Sequence, residues 1–294
     1  MRKYVGELGL TIVAIIWGSG FVASAVSLDH YTPYQILAIR FLVGVLLLSL
    51  VFLKKLKQIR KSTIIKGAII GIFLYLAFAL QTVGLVYTTP SKNAFLTAVN
   101  VVIVPFIAFF IYKRKMNMYE WIGALLAITG IGVLSLRFSG DVNIGDLLTL
   151  LCAVGFAFHI FYTAQFVKDE DPVLLTIIQM SVATILGFLV VIFKGETTFS
   201  MDIEGVSNVL YLGVFSTTIA FLLQTVAQKY TTETNAAIIL STEALWGTVF
   251  SVILLSEVLT IKMIIGAILI LCAIIISETK LKFLKSRKSV ATKG

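Results

Sequence analysis

Charged residues are scarce in this chain of 294 residues. Asp, Glu, Lys and Arg make up 13% of it, hydrophobic residues make up 59%, and the mean hydropathy is +1.00. Soluble domains carry about 25% charged residues and roughly 45–50% apolar ones. The shortage of charge therefore excludes an ordinary soluble domain and indicates a polytopic membrane protein.

Cysteine and histidine are also rare, with two residues of each. Cys152 and Cys272 both lie inside apolar runs, which predicts small buried side chains and neither a disulfide nor a metal site. The sequence has no phosphate-binding loop of the G-x-x-x-x-G-K-[ST] type, so ATP-driven transport is not expected. We expect no cofactor and no metal.

The net charge of +9 does not indicate a nucleic-acid partner. Such a partner requires basic residues clustered on one folded face, with aromatic side chains for stacking. Here the basic residues lie in short loops and in the C-terminal tail. The expected surroundings are a lipid bilayer, with the chain acting as a monomer or homodimer.

Long hydrophobic runs dominate the rest of the chain. A hydrocarbon core about 30 Å thick needs ~20 mostly apolar residues per helix. Ten segments qualify, which predicts an all-α integral membrane protein with ten transmembrane helices, at 8–26, 34–53, 64–86, 93–112, 118–136, 145–166, 173–193, 206–227, 235–255 and 261–277.

The chain contains an internal duplication. Residues 77–94 recur without a gap 143 positions later as 220–237, and the matches include glutamine, tyrosine and paired threonines that an apolar composition alone does not explain. In the earlier helices the offset is 139. The duplication predicts two five-helix repeats, 1–138 and 139–280, followed by a basic cytoplasmic tail, 281–294.

Five helices per repeat is an odd number, so the second repeat must enter the membrane from the opposite side. Of the 24 Lys and Arg residues, 19 fall on one side of the predicted membrane, 4 on the other, and Arg40 lies inside a helix. Cytoplasmic loops collect basic residues, so both termini are expected in the cytoplasm and the loop 137–144 outside. Inverted repeats allow a site near the midplane to open to each face in turn.

Several short motifs carry a family resemblance: Ile16–Ser19 in the first helix, Arg40–Leu42 in the second, Pro105 in the fourth, Gly145–Leu148 at the start of the second repeat, and Leu254–Glu257 after the ninth. Over residues 5–280 the chain resembles an EamA-type member of the drug/metabolite transporter superfamily. The resemblance implies a central cavity lined mainly by helices 1–4 and 6–9, with helices 5 and 10 peripheral. We infer a kink at Pro105 in helix 4. Ala244 stands near the usual proline of helix 9, so the kink is not carried over to that helix.

Arg40 is the charge that most needs an explanation. With a rise of about 1.5 Å per residue, it lies near 9 Å below the outer membrane face. An unpaired guanidinium at that depth costs at least ~2.5–3.5 kcal/mol. It either extends to the outer interface, with a hydrogen bond to Tyr34 or a loop carbonyl, or faces an aqueous cavity and binds substrate. Its repeat partner, Gln179, is neutral, so whatever Arg40 binds is bound asymmetrically.

Glu243 and its repeat partner Asn100 form a polar pair near the middle of the membrane. Glu243 lies roughly 12 Å from the cytoplasmic face at about 1.5 Å per residue. An intramembrane carboxyl group suits proton exchange, but it can equally fix helix packing through hydrogen bonds. Both interpretations remain open at this point.

Other polar and aromatic residues complete the candidate set. His159 is the one histidine inside a predicted helix, and packing competes with a role as proton relay or ligand. Gln81 and Gln224 recur in both repeats, and holding helices together competes with substrate binding. Trp17 is deep enough to line a cavity. The substrate-binding candidates are therefore Arg40, Trp17, Asn100, Gln81, Gln224, His159 and Gln179, and Glu243 is the proton-coupling candidate.

The expected function is secondary transport of a small polar metabolite, such as an amino acid, across the plasma (inner) membrane by alternating access. Proton coupling and exchange both remain open, and export is favoured. The rival interpretations are a membrane-embedded enzyme and a lipid-handling protein. An enzyme would need clustered carboxylates, a metal-spaced set of ligands or a nucleophile with its base.

Overall fold

The computed structural model describes residues 2–135, 143–228, 230 and 233–280. Throughout these ranges the regular elements are helices, and ten of them are long and apolar enough to cross a membrane. The expected all-α architecture with ten transmembrane helices in two repeats is confirmed. Most of the loop 137–144 and the tail 281–294 lie outside the described residues.

Seven spans are single helices, with one short helix between the second and third spans. The fourth, eighth and ninth spans are divided into shorter segments. The elements are α1 Arg2–Ser27, α2 Pro33–Val51, α3 Leu53–Leu56, α4 Lys61–Leu85, α5 Pro90–Ala98, α6 Asn100–Tyr112, α7 Met118–Ser135, α8 Ile144–Phe166, α9 Pro172–Phe193, α10 Ile203–Tyr211, a π-helix Leu212–Ile219, α11 Ala220–Gln228, α12 Glu233–Ser241, α13 Glu243–Leu255 and α14 Ile261–Thr279.

Polar caps and prolines mark where the helices begin. The Thr32 hydroxyl accepts a hydrogen bond from the N–H of Gln35, and the carboxylate of Asp171 accepts one from the N–H of Val173 at 2.8 Å. The first residues of α2, α5 and α9 are prolines, which have no N–H to leave unpaired at that position. Three of the four prolines therefore start helices inside this apolar chain.

The fourth span is interrupted at Val99, between α5 and α6. The N–H of Val99 donates to the carbonyl of Leu96 at 3.4 Å, and the N–H of Val102 donates to the carbonyl of Val99 at 2.9 Å. Both bonds join residues three positions apart, which is the pattern of a 3₁₀ turn. Pro105 lies within α6, six positions after this interruption. The break therefore falls earlier in the span than the kink expected at the proline.

The ninth span is interrupted at Thr242, the repeat counterpart of Val99. No kink was carried over to this helix from the fourth, yet the helix is interrupted. The hydroxyls of Ser241 and Thr242 donate to the carbonyls of Ile238 and Ile239 at 2.8 and 2.6 Å. Such local bonds compete with the regular helical ladder, so a break forms here without a proline.

The eighth span contains the π-helix. The Thr218 hydroxyl donates to the carbonyl of Gly213, five residues back, at 2.8 Å. Glycines on the neighbouring helices give this wider turn room, because a methyl group at Gly20 would lie 2.8 Å from the Ser216 hydroxyl and one at Gly44 would lie 3.2 Å from the Thr217 methyl. The corresponding part of the first repeat, 69–76, belongs to the continuous helix α4.

The two repeats pack against each other through matching contacts. α4 packs on α8, while α1 packs on the π-helix and α11. In the first contact Phe78 meets Phe156 edge-to-face with ring centroids 5.0 Å apart, and in the second Trp17 meets Phe221 at 5.4 Å. Trp17 and Phe156 are counterparts at the 139 offset, and Phe78 and Phe221 at 143, so the pseudo-symmetry holds at the level of side chains.

Helices α7 and α14 pack mainly on each other. A methyl group at Gly123 would lie 2.9 Å from the carbonyl oxygen of Ala273, and one at Gly266 would lie 3.0 Å from that of Gly130. The two helices therefore approach each other closely at Gly123 and Gly266. Cys152 is buried and Cys272 is exposed, and both are free thiols, so burial was predicted correctly only for Cys152.

Candidate functional site

Arg40, on α2, is 3% exposed and lies against the π-helix. Its Nε donates to the Thr217 hydroxyl at 3.1 Å and its Nη2 donates to the Ser216 hydroxyl at 3.4 Å. Within the described ranges no carboxylate lies within 4 Å of the guanidinium. The expected alternative of a hydrogen bond to Tyr34 is wrong, because the described hydrogen bonds of the guanidinium go to Thr217 and Ser216.

Aromatic side chains surround the guanidinium. Its central carbon lies 4.4 Å from the centroid of the Phe78 ring and 5.7 Å from that of Phe41. Phe78 packs in turn on Phe41 and Phe156. A cation over a ring face is favourable, by about 2 kcal/mol or more where water is excluded. Arg40 is thus held as a desolvated cation by two neutral hydroxyls and an aromatic face.

Trp17 belongs to the same site. Its Nε1 donates to the carbonyl oxygen of Ser216 at 2.9 Å, so the π-helix is fixed from α1 through its backbone and from α2 through its side chains. On α1 the Ser19 hydroxyl also lies 2.5 Å from the Tyr211 hydroxyl, just before the π-helix. The structure therefore brings Trp17 and Arg40 together at one segment of the second repeat.

His159 and Gln179 form a separate buried pair. The His159 Nε2 and the Gln179 Oε1 are 2.7 Å apart, with the side chains 7% and 3% exposed. Gln179 is the counterpart of Arg40, and His159 is the counterpart of Gly20. In the first repeat the absent side chain of Gly20 leaves room for Ser216, which bonds to Arg40. In the second repeat His159 itself bonds to the counterpart of Arg40.

Gln81 joins a chain of polar groups between α4, α5 and α8. Its Nε2 donates to the Thr97 hydroxyl at 3.0 Å, and that hydroxyl lies 3.6 Å from the thiol of Cys152. Asn93 donates to the Gln81 carbonyl at 3.1 Å and to the Thr149 hydroxyl at 2.9 Å. For Gln224, on α11, no matching hydrogen bond is formed with the residues that the structure describes, so the two repeated glutamines have different surroundings.

Asn100 and Glu243 are the first residues of α6 and α13, directly after the two helix breaks. Asn100 is 8% exposed and Glu243 is half-buried. A carboxylate in the first turn of a helix is stabilised by the free N–H groups there.

Two residues important to the site were not found by sequence reasoning, namely Ser216 and Thr217. Their signal is the run Ser216-Thr217-Thr218 within an apolar helix, where the counterparts in the first repeat are Phe73, Leu74 and Tyr75. Thr97 and Cys152 were also missed as partners of Gln81. Of the predicted residues, Trp17 and Arg40 meet at the π-helix and His159 meets Gln179. Of the other four, Gln81 bonds to Thr97, Asn100 and Glu243 directly follow the two breaks, and Gln224 lies on α11.

On the face at which α1 begins, here called the N-side, ion pairs join the link between the second and third spans, and the start of the third span, to the loop before the seventh span. Lys55 lies 2.6 Å from the Asp171 carboxylate, and Lys66 lies 3.3 Å from Glu170. Hydrogen bonds from Thr63 and Ser62 hold the pKa of Glu170 below its ordinary value, although burial opposes this effect. Burial raises the pKa of Asp171, but the bonds from Lys55 and two backbone N–H groups outweigh it, so the net change lowers the pKa.

On the opposite face, here called the far side, two carboxylates bind residues at the start of α5. Asp146, which is 0% exposed, lies 2.5 Å from Lys92 and accepts a hydrogen bond from Thr88. Glu257 accepts hydrogen bonds from the N–H and the hydroxyl of Ser91 at 3.3 and 2.7 Å. We call these contacts the far-side latch.

The two broken spans are arranged differently on the two sides. Their far-side halves, α5 and α13, pack on each other, whereas on the N-side α6 packs on α8 and α12 packs on α1. A cavity of about 760 Å³ also lies on the far side, lined in part by His30, Thr32, Gln35 and Glu196. None of the residues that bind Arg40 lines it.

Comparisons with known proteins agree with this architecture. The family model described as the EamA-like transporter family matches residues 4–136 and 143–279. An uncharacterized transporter of Archaeoglobus fulgidus is 36% identical over 276 residues, which cover 94% of this chain and 86% of that protein. The uncharacterized transporter YoaV of Bacillus subtilis is 26% identical, with 96% and 98% covered.

A solved crystal structure is similar in fold. It has a TM-score of 0.67 and 16% sequence identity, and the alignment covers 95% of this chain and 98% of that one. At this level of identity the likeness shows the fold alone. The family model spans nearly the whole chain and the Archaeoglobus relative exceeds 30% identity, so this chain belongs to the EamA-like transporter family.

Proposed function

We propose that this protein is a secondary transporter that moves a small polar metabolite with an anionic group by alternating access. The observation that carries the proposal is Arg40, a buried cation held by hydroxyls and a ring, without a carboxylate in the part of the chain that the structure describes. Intramembrane charges usually belong to transport pathways. A guanidinium fork also suits a carboxylate or phosphate.

The inverted repeats supply the movement in this proposal. The far-side latch closes one face, and the N-side halves of the fourth and ninth spans pack on different neighbours. Exchange of conformations between two pseudo-symmetric repeats would open the far side as the N-side closes. The hairpins formed by spans three and four and by spans eight and nine are the elements we expect to form the two gates.

The test is transport by the purified protein in liposomes. The panel contains radiolabelled alanine, leucine, glutamate, lactate, a hexose phosphate, glucose and choline, each with and without a pH gradient and in both directions. We expect at least one anionic or zwitterionic compound to be transported, with export as the favoured direction. Transport of only glucose or choline would contradict the proposal.

Glu243 carries the coupling proton or meets the cationic end of the substrate in this proposal. Its half-buried position at a helix break supports a role linked to movement of the ninth span. Glu243→Gln mimics the protonated carboxyl group, so pH-gradient-driven accumulation should be lost while exchange of substrate across the membrane is retained. Retention of gradient-driven accumulation would assign Glu243 to helix packing.

The proposed location is the plasma membrane, with the N-side in the cytoplasm, on the basis of the excess of Lys and Arg there. An impermeant thiol reagent applied to intact cells tests this orientation in a background without Cys152 and Cys272. A cysteine placed at Asp29 should be labelled and one placed at Gln58 should be protected. The reverse pattern would invert the assignment.

A further inference from the structure

The two hydroxyls that bind Arg40 occupy one edge of its guanidinium. The Nε–H and one Nη2–H of that edge point in parallel, and they donate to Thr217 and Ser216 at 3.1 and 3.4 Å. A carboxylate binds arginine through two parallel N–H···O bonds of this kind. The hydroxyl oxygens of Ser216 and Thr217 therefore lie where the two oxygens of a bound carboxylate would lie.

The sequence and packing of this segment support a dedicated arrangement. The π-helix presents Ser216 and Thr217 side by side, and Gly20 and Gly44 leave space for them. Among the described residues, this arrangement occurs at the repeat interface that contains the charge and not at the other one. The counterpart of Arg40 is neutral Gln179, which takes His159 as its partner, and the counterparts of the two hydroxyl residues are Phe73 and Leu74.

A charged guanidinium buried without acceptors is costly, and this cost opposes any conformational change that encloses it. Two neutral hydroxyls reduce the cost because they accept its hydrogen bonds. They bind it less strongly than an ionised carboxylate does, since the strongest bonds join two charged groups. A substrate carboxylate can therefore displace them, and they can return to Arg40 when the substrate leaves.

We infer that Ser216 and Thr217 act as an internal substitute for the anionic group of the substrate, which lets the transporter change conformation without substrate and so perform net transport rather than obligatory exchange. This inference rests on the proposed function and adds the mode of transport. It assigns a positioning and specificity role to two residues of the π-helix. The closed state of Arg40, at 3% exposure with both hydroxyls bound, is the conformation that the empty transporter would pass through.

The experiment compares net transport with exchange in liposomes, using the carboxylate of the panel that the wild-type protein transports fastest. Net efflux is measured into buffer without substrate, and exchange into buffer containing unlabelled substrate. In the double variant S216A/T217V, net efflux should fall at least about tenfold relative to exchange, because hydrogen bonds to a buried charge are lost only in the empty transporter. Exchange should be retained, which also shows that the variant folds.

Two matched variants complete the design. Thr217→Ser keeps the hydroxyl and should keep the wild-type ratio of net efflux to exchange. Thr218→Val removes a hydroxyl of the same π-helix that bonds to Gly213 rather than Arg40, and it should also keep that ratio. If S216A/T217V keeps the wild-type ratio, or loses both activities in proportion, the inference is overturned while the transport function stands. Failure of the wild-type protein to transport any carboxylate would instead overturn the proposed function.

Discussion

For Arg40, the sequence predicted that a partner is needed but not which residues provide it. Its depth in an apolar helix identifies it as a group that needs a partner, because an unpaired guanidinium there is costly. The identity of the partners was not predictable, since Ser216 and Thr217 are 176 and 177 positions away and reach Arg40 only through the π-helix. A hydroxyl run inside an apolar helix is a weak signal without the structure.

Gly20 has no side chain and so leaves space for Ser216, and a larger residue at this position should destabilise the protein. In Gly20→Ala the new methyl group would lie 2.8 Å from the Ser216 hydroxyl, so the π-helix must shift or Ser216 must leave Arg40. Overpacking of this kind costs about 1–3 kcal/mol. The thermal unfolding midpoint in detergent should fall clearly.

Gly9→Ala is the matched control on the same helix. Its nearest neighbours are the side chains of Ala227 at 3.2 Å and Leu223 at 3.5 Å, so the new methyl group meets wider spacing. The midpoint should fall less than for Gly20→Ala. Equal midpoints for the two variants would contradict the proposed packing around Ser216.

Among the elements, hydropathy alone was enough to predict the ten spans, and each lies within a few residues of its predicted position. The internal breaks were harder. Pro105 indicated a disturbance in the fourth span, yet the break is at Val99, and the ninth span breaks at Thr242 without a proline. The π-helix has no local sequence signature because the glycines that accommodate it lie on other helices.

The far-side latch gives a prediction for the start of α5. Asp146 is fully buried and pairs with Lys92 at 2.5 Å, so Asp146→Asn leaves an ammonium group without its counter-charge. Breaking a buried pair by removing one partner costs about 3–5 kcal/mol. The unfolding midpoint should fall strongly, and the variant K92M/D146N should recover much of the loss. A double variant as unstable as the sum of both single variants would show that the two residues act independently.

For the whole molecule, the N-side ion pairs make stability depend on pH. The pKa of Asp171 in the folded protein lies below its ordinary 3.8, and that of Glu170 below its ordinary 4.5. A lowered pKa contributes stability above the ordinary value, and the contribution disappears as pH falls through the lowered value. The unfolding midpoint should therefore drop as the pH is taken from 5 to below about 4.

Asp171→Asn removes the carboxylate charge but keeps the helix cap, because asparagine also caps helices. The variant should lose about 0.5 kcal/mol at pH 7, as is usual for a partly exposed ion pair. It should show a smaller drop in midpoint below pH 5 than the wild-type protein. An unchanged acid profile would mean that other carboxylates set the acid stability.

Transport of one carboxylate substrate by Arg40→Gln, a change that copies the repeat counterpart Gln179, tests most directly whether Arg40 binds the anionic group of the substrate. The measurement is kcat/KM in liposomes for the acid and for its neutral amide, with Lys194→Gln as a control that removes a surface cation. Arg40→Gln should lower kcat/KM for the acid at least about tenfold, because a charge-assisted pair is lost, and should change the amide little. Lys194→Gln should leave both unchanged. Wild-type kinetics for the acid in folded Arg40→Gln would contradict the claim that Arg40 binds the anionic group of the substrate.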